Sequence, residues 1–134
     1  DLPEYYDFFA SLPTIVVVDH MGRPDVSKDP NGPEFDLFVK LLKENENIWS
    51  KVSCPDRLSI TGEPLYEDVI PFARRIVETF PDRVLWGTDW PHPNMKTHMP
   101  DDGELVNFIP RIARNESLQQ KLLVDNPMRL YWAD

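Results

Sequence analysis

Three short runs rich in β-branched and apolar residues, evenly spaced with amphipathic stretches between them, constrain this chain more than anything else. They are Thr14-Ile15-Val16-Val17-Val18-Asp19, Ile48-Trp49-Ser50-Lys51-Val52-Ser53 and Arg83-Val84-Leu85-Trp86-Gly87-Thr88. The first is almost continuously β-branched, the pattern expected of a strand covered on both faces. Between the runs, Phe35, Phe38, Leu41 and Leu42 form one helical apolar stripe, and Leu65, Val69, Phe72, Ala73, Ile76 and Phe80 form a second. Residues 2–12 predict a helix entering the first strand. Residues 102–114 predict one leaving the last, kinked or divided at Pro110 because proline removes a backbone donor. A final pair follows, with Leu118, Leu122 and Leu123 on the first member and Pro127 at the start of the second. The order α-β-α-β-α-β-α-α implies an α/β fold with parallel strands joined by right-handed crossovers. No repeat or linker divides the chain.

Parallel α/β architectures build their sites at the carboxyl ends of strands. Each run here ends in reactive residues: Asp19-His20 with Arg23, Cys54-Pro55-Asp56-Arg57, and Asp89-Trp90-Pro91-His92. Three such clusters predict one shared pocket. His20 can serve as metal ligand, general acid or base, donor to a carbonyl, or a structural histidine bonded to backbone. Asp89 reads either as a general base or as a loop cap bonding nearby amides. Arg57 can grip a substrate carboxylate in a bidentate fork or pair with Asp56 or another acid. Arg23 touches ligand or braces its loop against Asp25 or Asp89, the bracing role being preferred. His92 lines the site, His98 is solvated, and Cys54 is a small buried filler. Trp49 and Trp86 read as core or pocket wall.

The chain has 14 Lys and Arg against 23 Asp and Glu, a formal charge of −9 over 134 residues. That field disfavours nucleic acid and anionic membrane, so an anionic substrate needs local cations. The single cysteine removes a thiolate-rich zinc site. No apolar run spans a bilayer, there is no signal-peptide pattern, and no glycine-rich phosphate loop appears, so a cytoplasmic protein without a nucleotide cofactor is expected. The fourteen prolines sit mostly around strand ends and in loops. A closed (β/α)8 barrel typically needs about 250 residues.

Taken together, Val18-Asp19-His20-Met21-Gly22-Arg23-Pro24-Asp25, Cys54-Pro55-Asp56-Arg57-Leu58, Trp86-Gly87-Thr88-Asp89-Trp90-Pro91-His92-Pro93-Asn94 and Asn126-Pro127-Met128-Arg129-Leu130-Tyr131-Trp132 resemble the amidohydrolase superfamily. The closest likeness is to its metal-independent lactonase branch, and it runs along essentially the whole chain. The resemblance implies a distorted (β/α)8 TIM barrel of which residues 1–134 are the C-terminal portion, about strands six to eight with their helices. The N-terminal half-barrel, with its His-x-His motif, would be missing, and the opening Asp1-Leu2-Pro3 without Met fits that expectation. It also implies hydrolysis of a small anionic dicarboxylate lactone in the breakdown of lignin-derived aromatics. By carry-over, Asp89 and His20 are catalytic, as general base and carbonyl partner, while Arg57, His92 and Arg23 bind substrate. No cofactor is implied, although zinc serves related branches. The rival readings are a sugar-lactone hydrolase, a zinc-dependent decarboxylase or hydratase, and a non-catalytic small α/β binding module. The sequence sets no oligomeric state.

Overall fold

The computed structural model describes residues 2–132. Helix α1 (Leu2–Ala10) leads into strand β1 (Val16–Val18), which ends in a turn over Asp19–Gly22. Helix α2 (Pro33–Glu44), strand β2 (Ile48–Val52), the one-turn helix α3 (Pro55–Leu58), helix α4 (Ile70–Thr79) and strand β3 (Val84–Trp86) follow. Beyond a long loop come α5 (Asp102–Asn107), α6 (Ile109–Ile112), α7 (Glu116–Gln120) and α8 (Asn126–Tyr131), the last two joined by a π-helical turn at Lys121–Asp125. The division at Pro110 is borne out, since that proline lies in the first turn of α6. Pro127 likewise opens α8.

The strands form one parallel sheet in the order β1-β2-β3. Val16 faces Ile48, and Val52 faces Trp86 in register. The expectation of a fully covered first strand is corrected: β1 is half-buried along its length, whereas β2 is buried except at Lys51. The reason is position, because β1 is a sheet edge and β2 has a neighbour on each side. Strand alternation sends Ile48, Val52 and Val84 into the core with Phe38, Leu41, Leu42, Phe72, Ala73, Ile76 and Val77. Trp49 points the other way, outside that cluster, under the Arg129 guanidinium 5.2 Å from its ring.

Two helical expectations shift. The second stripe begins at Val69, and Leu65 is half-exposed, because α4 starts only at Ile70. Asp68 fixes the preceding segment as a loop, its carboxylate accepting from the Ile60 and Thr61 amides at 2.6 and 3.0 Å. Leu122 is fully buried but Leu123 is exposed, since consecutive helical residues point about 100° apart and one face meets the core. Among the described residues no helix is long and apolar enough to cross a membrane.

Candidate active site

Each strand hands over to a non-glycine residue in the left-handed region: His20 (φ 55°), Cys54 (φ 63°) and Asp89 (φ 67°). Such backbone costs on the order of 1–3 kcal/mol per residue and persists only where the surroundings enforce it. Here all three turns bring their side chains to one point above the sheet. Arg57 Nη2 donates to Asp89 Oδ2 at 2.6 Å, and His20 Nε2 lies 3.7 Å from Asp89 Oδ1. Arg57 Nη2 is also 3.4 Å from His20 Nε2, and its Nε donates to Cys54 Sγ at 2.8 Å. His20 Nδ1 meets the Ser53 hydroxyl at 2.7 Å. The shared site expected from the strand ends is therefore a single cluster of His20, Arg57 and Asp89, each mostly buried but reachable from solvent.

The Arg57 alternative of an ion pair with Asp56 is not the one adopted; its partner is Asp89. Asp56 instead turns inward and is buried, with no hydrogen-bond partner from another residue on either carboxylate oxygen. Burial pushes its carboxyl above the ordinary range, opposed by its own backbone amide, His92 and Arg57, while Asp89 adds to the rise. Cys54 is buried, as expected of a filler, and desolvation pushes its thiol up to about 11 against the opposing bond from Arg57. It is a neutral thiol at neutral pH.

His20, Cys54 and Asp89 place one ligand atom each within 4.8 Å of one another, the geometry a divalent ion would need. The set does not fit such an ion as arranged. The Arg57 guanidinium already contacts all three donors and so occupies the position an ion would take. The cation at the centre of this cluster is a side chain.

Arg23 is exposed, itself left-handed at φ 57°, and makes neither of the ion pairs considered for it; Asp25 is taken up by the Ser27 amide and hydroxyl. Arg23 shares a cavity of about 390 Å³ beside β1 with His20, Tyr5 and Phe9. Arg23 also lines a larger cavity of about 720 Å³ between α1 and α2, and Arg57 and Asp89 line neither cavity. His92 is 4% exposed, and its Nε2 lies 3.0 Å from Asp102 Oδ1, so its ring is turned into the protein. His98 is half-buried against Glu63 and not freely solvated. Ser53 was invisible to motif reasoning, because a serine before Cys-Pro carries no signature. Its one clue is parity: two residues after Lys51, it falls on the strand face opposite the core.

Comparison with known proteins supplies the context. The amidohydrolase family model matches residues 1–132. The chain is 67% identical to 2-pyrone-4,6-dicarboxylate hydrolase of Comamonas testosteroni, covering 100% of this chain and 46% of that protein. It is 41% identical to 4-sulfomuconolactone hydrolase of Rhizobium radiobacter over 93% of this chain and 42% of the relative. Among solved structures, a probable 2-pyrone-4,6-dicarboxylic acid hydrolase from Acinetobacter baumannii with citric acid bound superposes at a TM-score of 0.77. That match has 25% identity and covers 98% of this chain and 49% of that one. The chain thus spans about half the length of the relatives it matches. With a parallel α/β fold, a polar cluster at its strand ends and a family match over residues 1–132, the chain belongs to the amidohydrolase family.

Proposed function

We propose that this chain forms about strands six to eight of a distorted (β/α)8 barrel, and that the whole protein hydrolyses 2-pyrone-4,6-dicarboxylate to 4-oxalomesaconate. The observation that carries this reading is the convergence of His20, Arg57 and Asp89 at the strand ends in a chain 67% identical to a hydrolase of that lactone. Asp89 takes a proton from water, and the resulting hydroxide attacks the lactone carbonyl carbon. Negative charge then gathers on the carbonyl oxygen. Once Arg57 has turned from His20 Nε2 to a substrate carboxylate, the His20 tautomer protonated at Nε2, its Nδ1 against the Ser53 hydroxyl at 2.7 Å, donates to that oxygen. Collapse breaks the ring carbon–oxygen bond, and Asp89 returns its proton to the leaving oxygen. Arg57 holds a substrate carboxylate, and Arg23, free at the neighbouring cavity, supplies a second cation. His92 enters the substrate-binding set only through its loop, since its ring is bonded to Asp102.

In the full-length enzyme, Asp89→Asn should lower kcat by roughly 10²–10⁴-fold, read from loss of pyrone absorbance. Turnover near wild type in that variant would overturn the assignment. A screen of lactones with and without paired carboxylates separates this reading from a sugar-lactone hydrolase, because only the former gives Arg57 and Arg23 their partners.

A further inference from the structure

The loop that carries Asp89 buries one side chain. From Gly87 to Met99 the only buried residue is His92; Trp90 is 74% exposed and Met99 62%. The His92 amide donates to the Asp89 carbonyl at 2.7 Å, closing the left-handed turn between them, and its own φ is 56°. Its ring Nε2 is held by Asp102 in the first turn of α5. Nδ1 is buried with no partner.

A leucine would plug the same space without burying an orphan nitrogen, so packing alone does not account for an imidazole here. Its surroundings do. Asp56 is buried with no partner from another residue on either carboxylate oxygen, and Tyr66 is buried with its hydroxyl unpartnered. Asp56 lies within electrostatic range of both His92 and Tyr66. Asp56 is also the chain neighbour of Arg57, as His92 is tied to Asp89. Arg57 thus has a buried polar residue as its chain neighbour, and Asp89 has one bonded to its carbonyl.

We propose that His92 is a positioning residue for Asp89: its imidazole, held by Asp102 and sharing the interior with Asp56, fixes the turn that aims the Asp89 carboxylate at Arg57 and His20. This rests on Asp89 being the general base. It gives His92 a role without substrate contact, and it gives Asp102, half-exposed and otherwise unremarked in the sequence, a share in the geometry of the site.

The test uses the full-length enzyme. His92→Leu keeps the plug and removes both nitrogens; Asp102→Ala removes the clamp from an exposed position where folding is not at stake. Both should lower kcat by about 10–100-fold with KM within about twofold, the signature of a displaced base and not of a lost substrate contact. His92→Gln, whose amide nitrogen reaches the Nε2 position, should recover most of that loss. Asp89→Asn is run alongside. An inactive Asp89→Asn beside His92→Leu and Asp102→Ala enzymes that turn over within twofold of wild type overturns the positioning role alone. A rise in KM with kcat unchanged in His92→Leu also overturns it, returning His92 to substrate binding. An active Asp89→Asn enzyme overturns the base assignment itself, whatever the other variants do.

Discussion

At the residue scale, the informative signal is backbone strain coinciding with chemistry. His20, Cys54 and Asp89 each adopt positive φ at a strand end, and two of them carry the proposed reaction. Arg57 unites the cluster, and its pairing with Asp89 must compete with any incoming carboxylate. Arg57→Met should therefore chiefly raise KM for the lactone; an unchanged KM would leave Arg57 as a partner of Asp89 only. Burial also makes a pH prediction. Desolvation pushes the Cys54 thiol from 9.0 up to about 11 and the Tyr66 phenol from 10.0 up to about 12. Both groups are neutral in the folded protein, while the unfolded chain ionises first as pH rises. Their stabilisation is thus complete below about pH 9 and is lost between about pH 9 and 12, at most about 2–3 kcal/mol for each group. The urea midpoint should fall over that window, and Cys54→Ala should flatten part of the fall. A midpoint in Cys54→Ala that drops as steeply as wild type would refute the contribution of this thiol. His20, Arg57 and Asp89 were legible in the sequence because they sit immediately after recognisable strands. Ser53 and Asp102 were not, since their roles depend on which ring nitrogen of a distant histidine they meet.

At the element scale, helices are pinned to the sheet by a few buried side chains. Asn126, fully buried at the start of α8, donates through Nδ2 to the carbonyls of Pro81 and Val84, both at 2.8 Å. Asn126→Ala removes two bonds and leaves the Val84 carbonyl buried without this donor, which should cost about 1–3 kcal/mol in denaturant unfolding. A change below about 0.5 kcal/mol would show that α8 is held by packing alone. Arg83 acts likewise at the same, amino-terminal end of the sheet, its guanidinium reaching the carbonyls of Leu42, Asn45 and Ile48 where α2 gives way to β2. Asp101 caps α5, its carboxylate accepting from the Gly103 and Glu104 amides. Asp101→Ala should destabilise by about 1 kcal/mol. Element order, the break at Pro110 and the opening of α8 at Pro127 were legible because proline chemistry and apolar period are local. The start of α4 was not, because Asp68 holds the preceding residues in a loop through bonds to Ile60 and Thr61, and sequence spacing does not reveal that competition.

At the scale of the whole molecule, β1 and β3 are the edge strands of a three-stranded sheet among the described residues. On the half-barrel reading, the 134-residue chain by itself should leave pyrone absorbance unchanged, whereas the full-length enzyme turns over. Hydrolysis by the isolated chain would overturn that reading. On the same reading, the formal charge of −9 on these 134 residues would not draw in a dicarboxylate, which puts the weight on local cations.

The sequence by itself determined the alternation of strands and helices, the parallel sense of the sheet and the three loops where chemistry gathers. Each of these follows from local periodicity or from the handedness of β-α-β connections. Only the tertiary structure decided that β1 lies at an edge, that Arg57 pairs with Asp89 and not Asp56, and that His92 faces inward to Asp102. Those outcomes depend on distances between residues more than thirty positions apart, or on which way a loop side chain turns. Neither is fixed until the strands have paired and the core has closed beneath them.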